Sequence, residues 1–181
     1  MVTTGTTYQN RPAEGEPTVT DWRIKYLRLA VIAGGIIIAD QITKYIILSE
    51  VGLHASIPVI PGFFNITHVQ NPGGAFGFLA DQSAIVRSIL FLVVSTLAVG
   101  LVLWFYHKTP STHRWLAAGF ALIFGGAVGN LIDRVRIGKV VDFLDFFING
   151  WHWPAFNVAD SAITVGITIF IIHVIGGRIP D

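Results

Sequence analysis

Residues Ala84 to Tyr106 read AIVRSILFLVVSTLAVGLVLWFY, an apolar run interrupted near its start by Arg87. A helix that crosses about 30 Å of hydrocarbon needs about 20 mostly apolar residues, so this stretch predicts a membrane span. The Arg87 stem is long enough to carry its charge to the interface. Three further windows meet the same test: Leu27 to Leu48, Trp115 to Ile132 and Val158 to Ile175. The expected fold class is therefore a membrane protein, mainly α, with four transmembrane helices. Composition agrees, since the 181 residues are 52% apolar and 13% charged with a mean hydropathy of +0.63. A soluble domain does not look like this.

Twelve Lys and Arg against 11 acidic residues leave no basic footprint for nucleic acid. The chain has no cysteine, so disulfides and thiolate chemistry are excluded. Residues Met1 to Thr20 are rich in Thr, Gly, Glu and Pro and lack an apolar run, which predicts a disordered tail. That segment also lacks a signal peptide's apolar core, so insertion is expected to be directed by the first span. Residues 21–181 then form a single membrane-embedded domain.

Arg23, Lys25 and Arg28 precede the first span, whereas Lys and Arg are missing from Tyr45 to Val86. This asymmetry predicts a cytoplasmic first end and, with four spans, both termini inside. Lys108, Arg114 and Arg178 agree. Arg134, Arg136 and Lys139 do not, and are expected to be held by carboxylates or lipid phosphates. The outward side then holds Ser49 to Ser83 and Asp133 to Asn157, both too long for simple turns. Within the first, Ile57 to Val69 is punctuated by Pro58, Pro61 and Gly62 and alternates at Phe64, Ile66 and His68, which predicts short strands in a small sheet on the membrane surface.

Charges at membrane depth cost about 2.5 to 3.5 kcal/mol on insertion scales. Several nevertheless gather toward the outer face: Asp40 late in the first span, Asp133 at the end of the third, Asp142 and Asp145 after it, and Asp160 opening the fourth. Asp40 and Lys44 have the spacing of a helical ion pair. An ion-pair role is also expected for Asp133 and Arg134. Asn157 is placed to cap the fourth helix, with Asp160 in its first turn, where a carboxylate is favoured. Asp160 can be simple decoration of a helix start. Asp142 is harder to dismiss, because Val140, Val141, Phe143 and Leu144 desolvate it and disfavour its charge.

If Asp142 and Asp160 meet, their environments separate two protonation states, as an aspartic peptidase requires. Asp160 is expected ionised and Asp142 protonated at rest. Asn71 to Gly77, NPGGAFG, lacks the Gly-Lys-Ser/Thr of a phosphate loop. It reads either as a plain loop or as small residues that admit a peptide backbone, with the Asn71 amide bonding it. Gly125, Gly126, Ala127 and Gly129 predict close helix packing, with Asn130 as a hydrogen-bonding group. The six histidines show no zinc-ligand spacing, and neither Gly-x-Ser-x-Gly nor Gly-x-Gly-Asp occurs. No metal or other cofactor is expected.

Four blocks, in order, resemble the lipoprotein signal peptidases, or signal peptidase II. Asp40 to Lys44 reads DQITK; Asn71 to Gly77 resembles Asn-x-Gly-Ala-Ala-Phe; Gly125 to Asp145 reads GGAVGNLIDRVRIGKVVDFLD; Phe156 to Ser161 reads FNVADS. The resemblance covers Ala30 to Ile175. It implies an enzyme of the bacterial cytoplasmic (inner) membrane that removes the signal peptide before a diacylglyceryl-modified cysteine, without a metal, and a small extracytoplasmic β-sheet cradle on the four helices. It assigns the catalytic dyad to Asp142 and Asp160. Asp40, Lys44, Asn71, Gly74, Asn130, Asp133, Arg134, Asn157 and Ala159 fall on motif positions that support the site or hold substrate. Gly74 stands where Ala is usual. Lipid-modified prolipoproteins and membrane lipids are the implied partners, and a globomycin-type cyclic peptide the implied inhibitor.

Two rival readings differ in class. A proton-coupled transporter places acids near the bilayer midplane and favours internal repeats, neither of which is seen here. A non-catalytic docking protein leaves the paired aspartates without a purpose.

Overall fold

The computed structural model describes residues 19–73 and 83–177. The chain runs α1 (Val19–Glu50), β1 (Ser56–Ile60), β2 (Phe64–Asn71), α2 (Ala84–Lys108), α3 (Arg114–Ile137), β3 (Val140–Ile148), β4 (Trp151–His152) and α4 (Val158–Ile175). All four helices are long and apolar enough to cross a membrane. The expected fold class, four spans carrying a small sheet, is the one observed.

Two helices run well past their apolar windows, and α2 exceeds its window by two residues. The window over Leu27 to Leu48 marks only the hydrocarbon-crossing part of α1, which begins at Val19. Its first turns are held by contacts the window does not weigh: the Trp22 ring lies 5.5 Å from His107 at the end of α2, and Tyr26 lies 6.0 Å from Tyr106. Val19 and Thr20 are thus helical, and the rest of the expected 1–20 tail lies outside the described residues. α3 continues past Ile132 to Ile137, so Asp133 and Arg134 belong to its final turns. Gly138 ends it with φ 71°, its N–H bonded to the Arg134 carbonyl at 3.0 Å. A left-handed residue here suits glycine, which has no Cβ to clash.

α3 is the central post. It packs against the other three helices, and its buried residues include Leu116, Ala117, Phe120 and Ala121, joined by Leu29, Ala33 and Tyr106. In a membrane, association of helices rests on close packing, because lipid tails are as apolar as Leu. The glycines of α3 supply that closeness. A Cβ on Gly125 would stand 2.9 Å from the Ala33 Cα of α1; one on Gly126 would collide with the Ala159 carbonyl and stand 2.8 Å from Ile163 Cγ1 of α4. α2, by contrast, turns large apolar residues outward, among them Ile85, Ile89, Val93 and Leu97. These face lipid.

The four strands form one antiparallel sheet in the order β1-β2-β3-β4. β1 and β2 fall where alternation predicts strands. β3 and β4 come from the second outer segment, which was expected only to be more than a simple turn. In β3, VVDFLDFFI, apolar residues and carboxylates break the simple alternation, and the strand owes its form to pairing with β2, which sets Val69 opposite Asp142 and Asn65 opposite Asp145. Asn149 (φ 51°) and Gly150 (φ 78°) make the tight turn into β4. A second core of Ile47, Val51, Val141 and Phe143 fastens β3 to the end of α1.

Gly126→Ala should therefore destabilise the bundle by about 1 to 3 kcal/mol through overpacking, seen as a lower Tm in detergent. Gly100→Ala, on α2 with nothing within 4 Å of the added methyl, should leave Tm unchanged or raise it slightly.

Candidate active site

The site is built outward from a buried ammonium. Lys44 Nζ lies 2.9 Å from Asp40 Oδ2, one turn back on α1, and 2.9 Å from Asp133 Oδ2 of α3. It also donates to Asn130 Oδ1 at 2.9 Å. Lys44 and Asp40 are 1% and 0% exposed, so this charge is shielded from water on every side. An ammonium has three protons, and three acceptors meet them. Each acceptor then reaches a different element.

Asp40 Oδ1 accepts the Ala159 N–H at 3.0 Å, satisfying one of the orphan donors in the first turn of α4. Asp133 Oδ2 accepts the Val141 N–H at 3.1 Å and so fixes the start of β3. Asn130 Nδ2 donates to Asp160 Oδ1 at 2.7 Å. One cation thereby sets the positions of α4, of β3 and of a carboxylate.

Asn157 joins the two candidate catalytic acids. It caps α4: its Oδ1 accepts the Asp160 N–H at 2.9 Å, while its own N–H donates to Asp160 Oδ2 at 3.3 Å, a reciprocal capping box. Its Nδ2 donates to Asp142 Oδ1 at 2.8 Å, with the Asn130 Oδ1 and the Val141 carbonyl each at 3.2 Å. The other oxygen of Asp142 accepts from Asn71 Nδ2 at 3.1 Å. Asp142 comes from a strand and Asp160 from a helix start, and a single asparagine spans the two.

Asp142 is 2% exposed, and burial, followed by the charge of Asp160, pushes its carboxyl up to about 7. The two amide donors and Lys44 work in the opposite direction. Asp160 is half-buried, at the open side of the pair. A protonated, enclosed carboxyl beside a more accessible one is an arrangement for passing protons to and from a polar bond between them.

Of the residues singled out from sequence, Asp40, Lys44, Asn71, Asn130, Asp133, Asn157, Ala159, Asp142 and Asp160 fall into this one network. Gly74 lies outside the described residues. Some expected partners differ. Asp133 pairs with Lys44 across the helix interface; Arg134, turned toward the site, donates to the Asn130 carbonyl at 3.4 Å, and its guanidinium acts on Asp160, Asp142 and Asp133 through space. The Asn71 amide, which one of the two readings of its loop gave to a peptide substrate, donates to Asp142, and its Oδ1 accepts the Gly73 N–H at 2.9 Å. Arg136 donates to the Gln41 amide oxygen at 3.3 Å, and no carboxylate pairs with it among the described residues. Asp145 leaves the cluster to bond His152 at 2.7 Å and Asn65 at 3.0 Å.

Gln41 was missed. Its Nε2 lies 3.1 Å from Asp40, 3.2 Å from Asp133 and 3.2 Å from the Gly129 carbonyl, bracing both carboxylates that flank Lys44. The signal was its place beside Asp40 in an otherwise apolar span.

A family model described as signal peptidase (SPase) II matches residues 32–176. The lipoprotein signal peptidase of Desulforapulum autotrophicum is 56% identical over 86% of this chain and 96% of that protein. That of Geobacter sulfurreducens is 49% identical over 81% of this chain and 89% of that protein. A solved bacterial membrane enzyme, determined by the in meso method, superposes with a TM-score of 0.72 at 37% identity, covering 81% of this chain and 91% of that one.

Lys44→Met removes the shared cation from two buried carboxylates and should cost about 3 to 5 kcal/mol of stability. Reversible unfolding in mixed micelles measures this. A loss within error of zero would mean that the triad is not structurally coupled.

Proposed function

The chain belongs to the signal peptidase II family, and from that premise we propose that Asp142 and Asp160 are the dyad with which it cuts lipoprotein signal peptides. It is a multi-pass bacterial membrane peptidase. The finer reading is an aspartic endopeptidase acting on diacylglyceryl-cysteine prolipoproteins; family membership supports the substrate class, and one observation carries the acid pair: Asn157 bonds both carboxyls while burial keeps one of them protonated near neutrality.

The steps follow from that asymmetry. Asp160, ionised, takes a proton from water as its oxygen attacks the scissile carbonyl carbon. Asp142 gives its proton to the carbonyl oxygen, so no bare oxyanion develops in a poorly solvated site. On collapse the carbon–nitrogen bond breaks, the leaving amine takes the proton from Asp160, and the former carbonyl oxygen returns its proton to Asp142. The dyad ends as it began. Asn130 and Asn157 hold the two carboxyls in position, Asn71 steadies Asp142, and Arg134 limits the build-up of negative charge.

The dyad sits at the end of the bundle that carries the sheet, where a helical signal and acyl chains deliver an amphiphilic substrate laterally between helices. We place that end at the outer face of the cytoplasmic membrane, with both termini cytoplasmic. Arg23, Lys25, Arg28, Lys108 and Arg114 mark the opposite end, and the exposed Trp151 and Trp153 beside the sheet suit a membrane interface. Membrane lipids flank the site, and a globomycin-type cyclic peptide is expected to compete for it.

Purified protein in detergent should cleave a diacylglyceryl-modified prolipoprotein and leave the unlipidated precursor intact. Asp142→Asn and Asp160→Asn should each lower cleavage by about 10²- to 10⁴-fold at matched folded yield; activity retained in both refutes the dyad. Because the raised carboxyl of Asp142 keeps its proton below about 7 and loses it above, kcat/KM should fall as pH rises through that region. A rise there would mean that the ionised form of Asp142 is the working one.

A further inference from the structure

At the other end of the bundle, α1 and the connection between α2 and α3 border an open pocket of about 340 Å³, lined by Ile24, Lys25, Arg28, Ser111, Thr112 and Arg114. Along α1 it lies about 24 Å from Lys44, counting 1.5 Å per residue from Arg28. It is therefore separate from the dyad.

Lys25 is the unusual member. It is 4% exposed, and among the described residues no carboxylate pairs with it. Its Nζ donates to the His107 carbonyl at 2.7 Å and stands 4.9 Å, 5.9 Å and 5.4 Å from the rings of Trp22, Tyr26 and Tyr106. A carbonyl and aromatic faces stabilise an ammonium, but they carry no net charge. A buried cation is costly unless an anion compensates it. Arg28 and Arg114 border the same pocket and form no salt bridge among the described residues. Ser111 and Thr112 add two hydroxyls.

We propose that this pocket binds a phosphate group, supplied by the headgroup of a phospholipid. Two arginines and two hydroxyl-bearing residues line one pocket with Lys25 in its wall, more donors than a carboxylate's two oxygens use, and they suit the several acceptor oxygens of phosphate. Basic pockets between spanning helices are known to take such headgroups. The acyl chains have a place to lie: Leu27 and Val31, on the α1 face that continues from Ile24 and Arg28, are 63% and 65% exposed. A phospholipid anchored here would fix the packing of α1 against the α2–α3 connection, independently of the peptidase reading.

The test titrates full-length protein, delipidated in neutral detergent, with phosphatidylglycerol, diacylglycerol or inorganic phosphate, following retained ligand by native mass spectrometry and Tm in parallel. Phosphatidylglycerol should bind and raise Tm, and diacylglycerol, which has the chains without the phosphate, should not. Arg28→Gln with Arg114→Gln should weaken phosphatidylglycerol by about tenfold or more. Arg114→Gln alone, at an exposed position, keeps the test open if the double variant folds poorly. Inorganic phosphate binding as well as the lipid, with the same sensitivity to the variants, would support the phosphate chemistry and assign its source to solution. Diacylglycerol binding as well as phosphatidylglycerol, or well-folded variants binding as wild type does, would overturn the proposal.

Discussion

The ammonium of Lys44, with its three acceptors, is the interaction on which the arrangement of the site depends. Asp40 shares its helix, Asp133 and Asn130 come from α3, and further hydrogen bonds of these partners continue to α4, β3 and Asp160. Two carboxylates at this depth are tolerable only because Lys44 faces both, since removing the cation leaves two buried charges of one sign in a medium that solvates them poorly. That requirement gives the polar cluster one geometry. The two acids proposed to be catalytic inherit it: the helix start that bears Asp160 and the strand that bears Asp142 are each bonded directly to a member of the set.

Small residues make the cluster possible. A Cβ on Gly129 would stand 2.6 Å from Asp40 Oδ2, so the glycine is what lets a carboxylate of α1 lie against the α3 backbone. Gly125 and Gly126 bring α1 and α4 to the same post from different sides. Close packing supplies association without a hydrophobic driving force, and the hydrogen bonds at one end supply register. The proposed dyad is therefore a product of helix packing as much as of its own motif, which explains why its two acids are distant in sequence yet share one asparagine.

Much of this was legible in the sequence because membrane depth makes polar residues conspicuous. The apolar windows located all four helices, the Asn157 to Asp160 spacing announced the Asn157 cap, and the apolar flanks of Asp142 anticipated its burial. What escaped depended on partners from elsewhere in the chain. The early start of α1 rests on aromatic contacts with the end of α2, and the late end of α3 on Gly138. β3 is a strand because β2 pairs with it, and no periodicity within VVDFLDFFI says so. Local spacing drew Asp133 toward its neighbour Arg134, whereas packing of α1 on α3 brings it to Lys44. Asn71 had an amide and a loop setting, which do not reveal that the amide faces Asp142. Gln41 was overshadowed by the charges beside it, although a buried pair of carboxylates needs neutral donors as well as a cation.

The central claim is that Asp142 and Asp160 are electrostatically one unit, with the proton residing on the buried member. Its most direct test is a site-resolved titration of Asp142 by carbon NMR of labelled aspartate, in wild type and in Asp160→Asn. The account predicts that Asp142 ionises at about 7 in wild type, and at a lower pH once the neighbouring charge is removed. An Asp142 that ionises in the ordinary carboxylate range, unmoved by Asp160→Asn, would contradict it.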